Sequence, residues 1–162
     1  MNKRTAFLLF TVLACFVFTS YAHAKDAPVK VYTMPPKMIA EYIDKTAGQK
    51  RVLLIYTSWC GYCRKKMPGI MDIERTKKGS IIAVSVDDDY AEYAKYAKKL
   101  SDAPFPLIMN KGRQEALIQT LKRYNVKPWN SYPTVVFLDE KGKAVAQGNY
   151  SVEQAAKFVF DK

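Results

Sequence analysis

"LLIYTSWCGYCRKKMPGIM", residues 53–71, holds two of the three cysteines in a chain of 162 residues. Cys60 and Cys63 sit behind an apolar run and in front of residues that favour a helix. Three readings of the pair compete: a redox device, half of a metal site, or a structural disulfide. A disulfide that closes a loop of two intervening residues restrains the unfolded chain very little. Chemistry explains the placement better than stability does.

The local geometry expected from the sequence is asymmetric. A strand runs into Trp59, and Cys60 begins the following helix, where unpaired N–H groups carry a partial positive charge of about half an elementary charge. A thiolate there is stabilised, so the Cys60 thiol is expected below its ordinary value of about 8.5. Cys63 lies one turn on, within reach of a disulfide. Gly61 keeps the intervening loop sterically open, and Arg64, Lys65 and Lys66 add positive charge nearby. In this reading Cys60, at the exposed start, exchanges with substrate sulfur, and Cys63 resolves the mixed disulfide.

The rest of the chain narrows the chemistry. Lys3 and Arg4, the apolar run "AFLLFTVLACFVF" and the small residues "AHA" at 22–24 are the three parts of a secretory signal over residues 1–24. That run is shorter than the roughly 20 residues of a membrane span. An uncleaved anchor and lipidation at Cys15, which ends a lipobox-like "VLAC", are the alternatives. Cleavage after Ala24 removes Cys15 and His23, the sole histidine. A mature domain of residues 25–162 then has no imidazole, which excludes His-dependent general-base catalysis, a Cys–His nucleophile and most zinc sites. Export places the chain in an oxidising, periplasmic compartment. Without Lys3 and Arg4, 24 basic side chains face 15 acidic ones, a formal charge of +9 spread along the sequence. It reads as solvated surface with attraction to acidic partners, and no nucleic-acid partner is expected.

Strand and helix patterns alternate along the mature chain. Pro35 and Pro36 open a helix whose apolar face is Met38, Ile39, Tyr42 and Ile43, and Gly48 ends it. "RVLLIYTS" reads as a strand buried on both faces. The helix from Cys60 carries Pro68 as a kink, Gly79 closes it, and "SIIAVSV" is a second buried strand. Asp87, Asp88 and Asp89 offer N-caps for a helix with Tyr90, Tyr93, Ala97 and Leu100 on one face, a core stripe or an aromatic docking stripe. "FPLIM" is a short strand, "GRQEALIQTLKRYNV" a helix, "TVVFLDEKGKAVAQG" a hairpin, and "SVEQAAKFVF" a final helix capped by Ser151. The order implies an α/β fold with a mixed sheet.

"WCGYC" between strand and helix, Pro68 within that helix, and "SYPTVVF" much later together resemble the thioredoxin family. The resemblance covers nearly all of residues 35–160. It implies a thioredoxin-like fold with a central mixed sheet flanked by helices, closed by a C-terminal hairpin and helix. It also implies that Pro133 is cis and faces the cysteines, and that the Tyr132 backbone pairs with an extended substrate. Catalysis then falls to Cys60 and Cys63, and substrate contacts to Trp59, Gly61, Tyr62, Tyr132 and Pro133. The segment from Asp87 to Tyr124 is longer than a minimal thioredoxin has there and resembles the αβ insertion of the TlpA/ResA-like branch. That branch implies an exported thiol–disulfide oxidoreductase, monomeric and cofactor-free, reducing client proteins with electrons from a membrane thiol–disulfide donor. Alternatives are a thiol oxidase or isomerase, and a carrier that holds Cu(I) between the same two thiolates.

Three departures from the family pattern stand out. Leu54 occupies the position of the buried Asp six residues before the first cysteine, and Ala83 that of its lysine. Proton transfer at Cys63 must then use water or another group. The approach to Pro133, "YNVKPWNSYP", is long, and Trp129 within it either shapes the substrate groove or packs the loop.

Overall fold

The computed structural model describes residues 30–161. The signal sequence, Cys15, His23 and the "AHA" site lie outside them. Strands β1 (Val31–Met34), β2 (Arg51–Tyr56), β3 (Ile81–Ser85), β4 (Leu107–Asn110), β5 (Thr134–Leu138) and β6 (Ala144–Gly148) form one sheet in the order β1-β4-β3-β2-β5-β6. β1, β4, β3 and β2 run parallel, and β5 and β6 continue the sheet antiparallel. Helices α1 (Pro36–Lys45), α2 (Gly61–Thr76), α3 (Tyr90–Ala97), α4 (Gln114–Leu121) and α5 (Val152–Phe160) cover it.

β2 is buried at every residue, as its unbroken apolar run requires of a central strand with helices on both sides. Alternation sends Val52, Leu54 and Tyr56 into a cluster with α2, α3 and α5, which also contains Cys60 and Cys63. Leu53 and Ile55 enter a second cluster with Ile39, Ala40 and Ile43 of α1 and Leu117 and Leu121 of α4. Each such aliphatic side chain contributes roughly 1.5–3 kcal/mol by leaving water. The two clusters make a three-layer α/β/α body.

Arg51 is also fully buried. Its Nη1 donates to Ile43 O and Thr46 Oγ1, both at 2.7 Å, so the head of β2 is tied to the end of α1 at the pole opposite Trp59. The helix joins are close as well. A Cβ on Gly69 would stand 2.6 Å from Val152 Cγ1, so only glycine lets α2 and α5 approach this closely. Ser151 and Gln154 form a reciprocal capping box at the start of α5.

The expected α/β architecture, hairpin and final helix are all present, and the long segment after β3 is α3–β4–α4. Three details differ. β1 was not legible: it is four residues long, sits at the edge, and pairs with β4, whose residues lie far along the chain (Val31 beside Leu107). In α1 the inward face is Ile39, Ala40 and Ile43, while Met38 is exposed. In α3 the inward face is Tyr93, Tyr96 and Ala97, continued by Leu100, and Tyr90 faces solvent. The α1 face is rotated by about one residue toward Ala40, whereas α3 buries Tyr93, Ala97 and Leu100 as expected and exchanges only Tyr90 for Tyr96, because several apolar side chains compete for each inward position.

Candidate active site

The C-terminal end of β2 delivers residues 57–60 to the start of α2. Cys60 is the N-cap of α2, and its Sγ accepts the N–H of Cys63 at 3.1 Å. The two cysteines form a disulfide with their Cα atoms 5.2 Å apart. Cys63 is 1% exposed and Cys60 6%. The expected asymmetry has the right direction, but in the oxidised form even the leading cysteine is mostly covered. The open surface belongs to its neighbours, with Trp59 66% and Tyr62 72% exposed. A Cβ on Gly61 would meet nothing, so the turn between the cysteines is open to solvent as expected.

The flanking cations divide. Arg64 turns back, its Nε donating to Ser58 O at 2.6 Å and its guanidinium lying over the Tyr96 ring. Lys65 lies over the exposed Tyr62 ring. Lys66 donates to Asn149 Oδ1 and Tyr150 O, both at 2.6 Å, and burial lowers its pKa. Lys66 thus ties α2 to the turn before α5.

The second wall comes from the loop before β5. The Tyr132–Pro133 peptide is cis, as the resemblance implied. Tyr132 packs on the cluster that contains both cysteines, and its ring meets Trp59 edge-on with centroids 5.8 Å apart. The Tyr132 hydroxyl donates to Gln114 Oε1, which anchors this loop to the first residue of α4. Trp59, Cys60 and Tyr132 are therefore brought together, with Tyr62 and Pro133 adjoining them in the chain. Trp129 is not: it is buried in the α1/α4 cluster, on the other face of the sheet from the cysteines, and packs the loop.

Leu54 and Ala83 are register partners on β2 and β3, both buried in the cysteine cluster. The polar groups on that face lie farther along the strand. Tyr56 and Tyr93 share a hydrogen bond at 2.8 Å between their hydroxyls, in the same cluster as Cys63. Burial pushes both phenols up, well above the ordinary tyrosine value for Tyr56.

Asp87 has a role that sequence reasoning missed. Asp89, not Asp87, caps α3, accepting the N–H groups of Ala91 and Glu92. Asp87 is buried and points at the cysteine loop. Its Oδ2 accepts Ser58 N–H at 2.8 Å and Ser85 Oγ–H at 2.5 Å, and its Oδ1 accepts Ser58 Oγ–H at 2.6 Å. Three consecutive aspartates after a strand are equal candidates for a cap. Only the tertiary position of Ser58 separates them.

The arrangement suits thiol–disulfide exchange: two sulfurs in bonding reach, one of them at a helix N-terminus, under an exposed aromatic rim. Comparison with known proteins gives a family and a fold. The sequence pattern of the AhpC/TSA family matches residues 36–147. The thioredoxin-like protein YneN of Bacillus subtilis is 31% identical over 99 residues, a stretch amounting to 59% of this chain and 53% of that protein. The chain thus spans about half the length of the curated relative it matches. A thiol:disulfide interchange protein of Chlorobium tepidum superposes with a TM-score of 0.57 at 19% identity, over 71% of this chain and 80% of that one. A secreted disulfide oxidoreductase of Mycobacterium tuberculosis gives 0.51 at 21% identity, over 71% and 83%. At these identities the likeness is one of fold, and the fold is thioredoxin-like.

Proposed function

This chain belongs to the AhpC/TSA family, and from that premise we propose that it is an exported thiol–disulfide oxidoreductase of the TlpA/ResA-like kind, a reductant of client disulfides. The observation that carries the reading is the Cys60–Cys63 pair at the N-terminus of α2, with Cys60 Sγ already accepting an N–H of the first turn. A donor aimed at that sulfur favours its thiolate.

The exchange balances in two steps. The Cys60 thiolate attacks one sulfur of a client disulfide. The client S–S bond breaks, one client sulfur leaves as thiolate, and a Cys60–client disulfide forms. Cys63, as thiolate, then attacks Cys60 Sγ, releases the second client thiolate and closes the Cys60–Cys63 bond. Two electrons pass to the client, and its two thiolates take up protons. A dithiol donor, proposed to be a membrane thiol–disulfide protein, returns two electrons for the next cycle. Trp59, Gly61, Tyr62, Tyr132 and Pro133 form the client-facing rim. No cofactor takes part, and the working unit is a monomer of residues 25–162 freed of its signal in the periplasm.

Two measurements test this reading. Cys63→Ser is expected to trap mixed disulfides with envelope clients, and Cys60→Ser to trap none; equal trapping by both overturns the assignment of roles. Equilibration against thiol buffers is expected to place the pair at about −270 mV or lower, and a value near about −120 mV makes it an oxidant instead.

A further inference from the structure

All five helices start at the pole of the sheet that carries the cysteines and end at the other. The parallel strands run toward Trp59, so α1, α2, α3 and α4 run back from it. β6 is again parallel to β2, through two antiparallel steps, and α5 returns the same way. The far pole is therefore built from five helix C-termini and the β5–β6 turn. Side chains tie these ends together: Arg123 pairs with Asp44, Arg75 with Asp102, and Lys77 Nζ donates to Val159 O at 2.7 Å.

A helix C-terminus carries partial negative charge and favours a cation. Lys50, Lys77 and Lys143 meet that demand, donating to Asp161 O, Val159 O and Arg123 O. The pole holds many more cations than these. Lys45, Lys78, Lys98, Lys99, Lys122 and Lys141 are exposed and take part in none of the ion pairs among the described residues. Most acids around them are engaged. Asp44 is held by Arg123, and Asp72 and Asp102 by Arg75. Asp139 accepts the N–H groups of Lys141 and Lys143, and buried Glu74 those of Gly79 and Ile81. Glu140 and Asp161 are left against the lysines. The cysteine pole shows no such excess, since Asp88, Asp89 and Glu115 stand beside Lys65, Lys111 and Arg113.

Two further features lie at the basic pole. Phe160, the last residue of α5, is 45% exposed there. Residues 1–29, which include the apolar run and Lys3, Arg4 and Lys25, join the body at Lys30, just before β1.

We propose that this pole docks on an anionic phospholipid surface, with its lysines set against the headgroup phosphates and Phe160 entering the interface. Solvated ammonium groups spread over several separate chain ends match a diffuse plane of negative charge. The segment read as an export signal also leaves the body at this pole, which brings the same face to a membrane. Docked in this way, the protein holds Trp59, Cys60 and Tyr132 at the pole turned away from the lipid. The proposal goes beyond the oxidoreductase reading and does not depend on it.

The test is binding of the purified exported protein to vesicles of phosphatidylcholine, with and without phosphatidylglycerol. Binding is expected only with phosphatidylglycerol and is expected to fall as salt is added. Each lysine near such a surface contributes about fivefold in affinity, so Lys78→Gln with Lys99→Gln is expected to weaken binding about thirtyfold. Lys111→Gln with Arg113→Gln removes the same charge from the cysteine pole and is expected to leave binding unchanged. Equal loss in the two double variants, or in neither, overturns the pole as the docking face. Equal binding of wild type to both kinds of vesicle shows that the apolar leader, not the pole, holds the lipid. Binding to neither overturns the membrane as occupant and leaves the lysines to an acidic protein.

Discussion

Asp87 holds Ser58 by both its backbone and its side chain, accepting the N–H at 2.8 Å and the hydroxyl at 2.6 Å. Ser58 O is meanwhile taken by Arg64 Nε. Ser58, two places before Cys60, is thus clamped between the loop after β3 and the first turn of α2. The positions of Trp59 and Cys60 follow from that clamp.

Asp87→Asn replaces an oxygen that accepts with an NH₂ group that can only donate. One of the donors now meeting Asp87 loses its partner, at a cost of about 1–3 kcal/mol. The expected result is a lower denaturation midpoint together with faster alkylation of Cys60 in the reduced protein. Midpoint and alkylation rate both equal to wild type would show that the clamp does not hold the loop.

The Tyr56–Tyr93 pair makes a second prediction. Tyr93→Phe leaves the Tyr56 hydroxyl buried without a partner and is expected to cost about 1–3 kcal/mol in chemical denaturation. Replacing both tyrosines by Phe removes donor and acceptor together and is expected to recover most of that loss. A double variant as weak as the two single changes added would argue against the coupling.

The same pair sets a pH dependence. Burial raises both phenols, so the folded protein keeps their protons where unfolded tyrosines, near pH 10, release them. The unfolded state then binds fewer protons, and stability falls as pH climbs above about 10. Their contribution is complete below that pH. Denaturation midpoints measured from pH 8 to 11 are expected to drop more steeply in wild type than in the double Phe variant.

The two tryptophans offer a direct check of the site's layout. Trp59 is exposed and Trp129 buried. Trp129→Phe is expected to leave red-shifted emission readily quenched by acrylamide, and Trp59→Phe to leave blue-shifted, protected emission. The reverse pattern would place Trp129 at the groove after all.

How much of this was legible beforehand differs from element to element. β2 and β3 could be read because their apolar runs are continuous and each is buried from end to end. The cysteine pair could be read because strand, Trp, CxxC and helix occur in one unbroken stretch. The cap from Ser151 is local as well, since its side chain and the N–H group it accepts lie within three residues. The inward faces of α1 and α3 were harder. Each helix carries more apolar side chains than one face accommodates, and the sheet beneath selects among them.

What the sequence by itself determined is therefore the part written in near neighbours: the alternation of strands and helices, and a dithiol at a helix N-terminus. Tertiary structure decided β1, which exists because β4 lies beside it, and the burial of Trp129 away from the cysteines. It also decided which of three adjacent aspartates caps a helix and which clamps the active-site loop. The physical reason is the same in each case. A hydrogen bond or an apolar contact between residues far apart in the chain depends on their separation in space, and that separation is set only when the sheet has assembled.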